Sequence, residues 1–80
     1  MNTWNERIKQ RRLALGLSYM DLERATGVSH STFYRYETGE IKDIKLDYVF
    51  KIAPALQCNP LWLAGLIDED LPYANSKNKK

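Results

Sequence analysis

Apolar side chains recur at intervals of three and four along most of this chain, and each such stretch is bracketed by residues that start or stop helices. Thr3 with Glu6 three residues on makes a capping box, Trp4 and Ile8 share a face, Leu15 follows seven later, and Gly16 suits a left-handed stop; a first helix is expected over Trp4 to Leu15. Ser18 with Asp21 repeats the start signal, Leu22, Ala25 and Thr26 give a less polar side, and Gly27 ends a second helix of about Tyr19 to Thr26. Ser29 caps a third over His30 to Thr38, with Phe33 and Tyr36 on one face and Gly39 as its stop. After a loop from Glu40 to Ile44, the positions Leu46, Val49, Phe50, Ala53 and Leu56 predict a fourth helix over Lys45 to Leu56, its last turn kinked or frayed by Pro54. Asn59 before Pro60 opens a fifth, and Leu61 to Ile67 is almost wholly apolar. No strand and no internal repeat is legible. The reading is an all-α domain over residues 1–72, followed by a polar, basic segment at 73–80, either an arm or the start of a linker to a further C-terminal domain.

Composition changes this picture little. Eighty residues allow one modest core, and the 44% hydrophobic and 28% charged content is that of an ordinary globular domain. The single Cys58 and single His30 cannot form an internal disulfide or a zinc site, so neither metal nor cofactor is expected and packing alone must hold the core. No apolar run reaches bilayer length and no leader pattern opens the chain, which gives a cytoplasmic expectation with no membrane partner. Catalysis is not expected: there is no Gly-rich phosphate loop, and no carboxylate pair at a motif spacing. The net charge of +2 is small and uneven, basic up to Lys45, acidic from Leu46 to Pro72 and basic again to the end.

The informative chemistry lies in the second and third helices. Two short capped helices joined by Gly27, Val28 and Ser29 must cross steeply, which is a helix-turn-helix by construction. The third then projects, with His30, Ser31, Thr32, Tyr34 and Arg35 on the sides away from Phe33 and Tyr36, and a projecting polar helix fits the major groove of B-form DNA.

The same residues resemble a known family, the Cro and lambda-repressor-like helix-turn-helix domains of phage and bacterial repressors. The resemblance covers roughly Glu6 to Leu66. It rests on Arg7-Ile8-Lys9, Leu15-Gly16-Leu17-Ser18, Leu22, Thr26-Gly27-Val28-Ser29, Tyr36-Glu37-Thr38-Gly39, Lys51-Ile52-Ala53, Ala55-Leu56 and Asn59-Pro60-Leu61-Trp62-Leu63, in that order and spacing. It implies a five-helix domain that binds double-stranded operator DNA as a two-fold homodimer and regulates transcription, most simply as a repressor. The family's base-reading positions fall on His30, Ser31, Thr32 and Arg35. Arg35 can donate two hydrogen bonds to guanine, and Tyr34 can touch a thymine methyl. Its phosphate-contacting positions fall on Ser18 and Tyr19 at a helix N-terminus, and on Lys42 and Lys45 in the loop, with Asp43 an unhelpful charge between them. Arg12 and Glu37 match an ion pair that ties the first helix to the third.

Two positions depart from the family pattern. Glu23 stands where a small alanine is usual, so either the two helices open slightly or the carboxylate finds a partner. Arg11 replaces a frequently apolar residue and is expected to lie along the surface by its stem. Trp62, Leu63, Leu66 and Ile67 cannot all bury against so small a domain, so part of that surface is expected to form a dimer seam or face a partner. The rival reading is a protein-interaction or antitoxin-like adaptor that keeps the fold and uses the fifth helix as its partner surface. Asp68-Glu69-Asp70 reads as a solvated helix end, and Cys58 as a small buried hydrophobe.

Overall fold

A computed structural model describes residues 3–72; the basic segment at 73–80 lies outside the described residues. Five helices follow in chain order: α1 (Thr3–Ala14), α2 (Tyr19–Thr26), α3 (His30–Thr38), α4 (Leu46–Leu56) and α5 (Pro60–Leu63). No strand occurs among the described residues. The helices meet over one core made of Trp4, Ile8, Leu22, Val28, Phe33, Tyr36, Val49, Ile52, Ala53, Leu56 and Leu63. Trp4 and Tyr36 pack edge to face at 5.2 Å between ring centroids, as do Phe33 and Tyr36 at 6.1 Å, so α3 is pinned by its apolar side to the middle of the domain.

Local chemistry fixes the element ends. At the start of α2 the Ser18 hydroxyl accepts from the Asp21 amide at 3.0 Å and the Asp21 carboxylate accepts from the Ser18 amide at 2.8 Å, the reciprocal box read from the sequence. That exchange holds the Asp21 carboxyl below the usual carboxylate range, with Arg24 adding to it. α1 begins one residue earlier than expected and closes one earlier, through bonds from Gly16 and Leu17 back to Leu13 and Arg12. α4 does not fray at its end. It runs through Pro54 to Leu56 because the proline sits in the last turn, and the chain then reverses on Gln57 at φ 55°, with the Gln57 and Cys58 amides returning to Pro54 and Ala53.

α5 is shorter than its apolar run suggested. It stops at Leu63 because the chain turns left-handed at Gly65, whose amide returns to Trp62. The acidic run that follows is therefore no helix end: Asp70 accepts the Asn59 amide at 2.8 Å while the Asn59 side chain donates to the Leu71 carbonyl at 2.9 Å, which straps residues 68–72 across the α4–α5 junction. Beneath that strap Cys58 is half-buried, and desolvation, with Asp70 nearby, pushes its thiol up to about 12.

α1 is an arginine helix turned inward. Arg7 donates to the carbonyls of Trp62 and Ile67 and lies over the Trp62 ring at 4.6 Å. Arg11, expected to run along the surface by its stem, is partly buried and its guanidinium donates to the carbonyls of Leu56 and Gln57 at the end of α4. Arg12 grips both Glu37 oxygens, at 2.6 and 2.9 Å, and also the Leu17 carbonyl. With side chains 13% and 4% exposed, this pair is largely withdrawn from water and joins α1 to α3. The Tyr19 hydroxyl adds a third bond to Glu37 at 3.1 Å, and its ring lies under the Arg12 guanidinium at 4.4 Å, bringing α2 into the same knot.

Two measurements test this account. Glu37→Gln leaves a buried guanidinium without its counter-charge, so unfolding in urea should show a loss of about 3 kcal/mol or more, whereas the double change Arg12→Met with Glu37→Leu should recover most of it. Gln57→Gly removes the cost of a left-handed side chain while keeping the backbone carbonyl that Arg11 uses; calorimetry should show about 1 kcal/mol of added stability, a rise in Tm of roughly 4 to 8 °C.

Candidate nucleic-acid interface

The turn between α2 and α3 is built so that α3 presents one side outward. Gly27 takes a left-handed φ of 79°, its amide bonding the Glu23 carbonyl, and ends α2. The Thr26 hydroxyl donates to the Leu22 carbonyl at 2.7 Å and accepts from the Val28 amide at 3.1 Å, while Val28 itself is buried. Ser29 then caps α3 through the Ser31 amide. With Phe33 and Tyr36 in the core, His30, Ser31, Tyr34 and Arg35 are exposed and Thr32 is partly so.

Each of the exposed side chains has a local setting. The Ser31 hydroxyl lies 2.9 Å from that of Ser29. Tyr34, 55% exposed, meets Tyr19 edge to face at 6.1 Å. Arg35 has only a loose surface pairing with Glu40, at 3.8 Å, which leaves its guanidinium able to turn elsewhere at little cost. His30 is different. Its amide and its Nδ1 both lie 2.7 Å from Glu23 Oε1, so the unusual carboxylate of α2 is paired across the turn and the helices need not open to reach water. These bonds hold the Glu23 carboxyl below the usual range, the His30 side chain contributing most.

Of the residues expected to meet a phosphate backbone, Ser18 is exposed at the start of α2, beside the Asp21 carboxylate. Tyr19 is half-buried, and burial together with Glu37 raises its phenol above the ordinary value; its hydroxyl is engaged, so what it can offer an anion is the backbone amide of a first helical turn. Lys42 and Lys45 are exposed before α4, Lys45 at its cap position without a side-chain cap bond, with Asp43 exposed between them.

The expected seam on the fifth helix needs correction. Leu63 is fully buried in the core and cannot contribute to an outer surface, because the short α5 turns that side chain inward. Trp62 is half-buried under Arg7, and Ile67 is partly buried with its carbonyl bound by the same residue. Leu66 alone of the four stands clear, at 66% exposure. Other exposed apolar side chains, Leu46 and Phe50, lie on α4. A cleft of about 600 Å³ between the end of α4 and residues 70–72 contains none of the side chains expected to contact DNA, so the candidate site is a projecting face and not a cavity. Among the described residues no group of three or more histidine, cysteine, aspartate or glutamate side chains could hold a metal ion, and no helix is long and apolar enough to cross a membrane.

This geometry has counterparts among known proteins. A crystal structure of the P22 c2 repressor with a synthetic operator in the presence of thallium ions is similar at a TM-score of 0.71 and 27% sequence identity, over 84% of this chain and 100% of that one. Residues 8–63, from the buried Ile8 of α1 to the buried Leu63 of α5, match the helix-turn-helix family model. The chain belongs to that family, in its lambda-repressor-like form.

Proposed function

We propose that this protein is a sequence-specific DNA-binding transcriptional regulator, a repressor of the phage type that occupies palindromic operators as a homodimer. The observation that carries the reading is the division of α3: aromatic side chains hold one side in the core, and polar side chains with hydrogen-bonding ends occupy the other. A helix so divided can enter a major groove without exposing core, and the similar P22 c2 repressor is one that was crystallised with an operator.

In this reading Arg35 is the principal base reader, because a guanidinium matches guanine O6 and N7 with two parallel bonds. His30, Ser31 and Thr32 meet neighbouring base edges from the first turn, and Tyr34 packs on a thymine methyl. Ser18 and the Tyr19 amide hold one phosphate at the α2 N-terminus, and Lys42 and Lys45 approach the backbone from the other side. The exposed Leu66, with the open part of Ile67, is what remains of the seam through which two copies would pair, and two half-sites about one helical turn apart follow from such a pairing.

Anisotropy titrations of labelled duplexes across a range of salt test this. Arg35→Ala should remove about 1 to 3 kcal/mol of preference for the favoured operator over base-substituted versions. Lys45→Ala should weaken every duplex alike and lower the salt slope by about one. Binding of the unaltered protein that is equally tight on any duplex would overturn the reading.

A further inference from the structure

The sole histidine of the chain is the first residue of α3, and the carboxylate that holds it is that of Glu23, seven residues earlier on α2. An ionised carboxylate only accepts hydrogen bonds, so the hydrogen in the 2.7 Å contact between Glu23 Oε1 and His30 Nδ1 belongs to the nitrogen. The same oxygen accepts from the His30 amide at 2.7 Å, so backbone and ring are both tied to one point and the side chain has little freedom to turn. Nε2 is then the ring's remaining hydrogen-bonding atom, and its character depends on one proton: an acceptor in the neutral ring, a donor in the imidazolium.

We propose that Glu23 is a positioning residue for base recognition, fixing His30 as the Nδ1–H form so that Nε2 seeks an amino group when the ring is neutral and a carbonyl or ring nitrogen when it is protonated. This rests on the DNA-reading function proposed above. In a major groove the neutral ring suits cytosine N4 or adenine N6, and the protonated ring suits guanine N7 or O6. Adenine, with N6 and N7 side by side, satisfies both forms, so cytosine against guanine is the sharpest contrast.

The surroundings favour this assignment. The first turn of a helix disfavours a cation through the macrodipole, and the Glu23 carboxylate on the Nδ1 side of the ring offsets that when Nε2 takes a proton. The other charged groups near the pair are accounted for. On α2, Arg24 lies close enough to lower the Glu23 carboxyl further but is itself paired with Asp21 at 3.0 Å. On α3, Arg35 and Glu37 lie more than one turn along the helix, and from α1 the Arg12 guanidinium is closed on Glu37.

Two measurements decide it. The first is the imidazole nitrogen NMR spectrum of the free protein at about pH 8, which distinguishes the two tautomers of a neutral ring. The unaltered protein should show the Nδ1–H form, and Glu23→Ala should move the ring toward Nε2–H; an Nε2–H ring in the unaltered protein overturns the proposal whatever it does with DNA. The second is selection from a pool of duplexes randomised over about two helical turns, run at about pH 8 and about pH 5.5. One position per half-site should shift from cytosine toward guanine on acidification, a swing on the order of fivefold for one hydrogen bond, and both Glu23→Ala and His30→Ala should abolish that swing. A swing that survives Glu23→Ala overturns the proposal. Selection that depends on Arg35 but shows no exchange with pH at any position overturns the role of Glu23 and leaves the DNA-reading function standing, whereas enrichment of no duplex at either pH overturns both.

Discussion

The bidentate contact between Arg12 and Glu37 is the constraint on which the presentation of α3 depends. α3 is only nine residues long, too short to persist as a helix by itself in water, and it has a polar outer side that contributes nothing to the core. Phe33 and Tyr36 hold it by burial and set which side faces inward, but apolar burial alone carries little directional preference for the exact angle at which the helix sits. The charged fork at 2.6 and 2.9 Å is directional. With the Tyr19 hydroxyl on the same carboxylate, it references the orientation of α3 to both α1 and α2. What faces outward is decided by what is clamped inward.

The α2–α3 turn shows a second economy of the same kind. The Thr26 hydroxyl bridges the Leu22 carbonyl and the Val28 amide, the Ser29 hydroxyl accepts the Ser31 amide, and Glu23 reaches across to the first amide of α3. The early amides of α3 are therefore taken by the protein itself: His30 by Glu23, Ser31 by the Ser29 hydroxyl and Thr32 by the Ser29 carbonyl. An anion gains little at that terminus, and side chains carry its recognition. The start of α2 differs, because the capping box occupies the Ser18 and Asp21 amides and leaves those of Tyr19 and Met20 between them for an anion to approach.

Much of this was legible in the residues. The bounds of α2 and α3 follow from caps and glycines that act within a few residues, so Ser18, Asp21, Gly27, Ser29 and Gly39 suffice. The outward set His30, Ser31, Tyr34 and Arg35 follows from helical geometry once Phe33 and Tyr36 are assigned inward. What the sequence left open depended on distant partners. Nothing near Arg11 foretells that its guanidinium ends on carbonyls 45 and 46 residues away. An apolar run through Ile67 promises a longer α5 than Gly65 permits, and the inward turn of Leu63 depends on how that shortened helix lies against α1 and α4. Glu23 was visible as an oddity with two possible resolutions, opening of the helix pair or a partner for the carboxylate; His30 across the turn is that partner.

The inward arginines of α1 carry a lesson about conservative exchange. Arg7, Arg11 and Arg12 each reach more than one acceptor, and the acceptors are mostly backbone carbonyl oxygens. A lysine in any of these places would leave the electric charge of the molecule untouched, yet a single ammonium cannot span two oxygens with a flat, preset pair of donors. In this helix, shape and not sign is the property under constraint, and a replacement that looks mildest on paper is the one that would untie the domain.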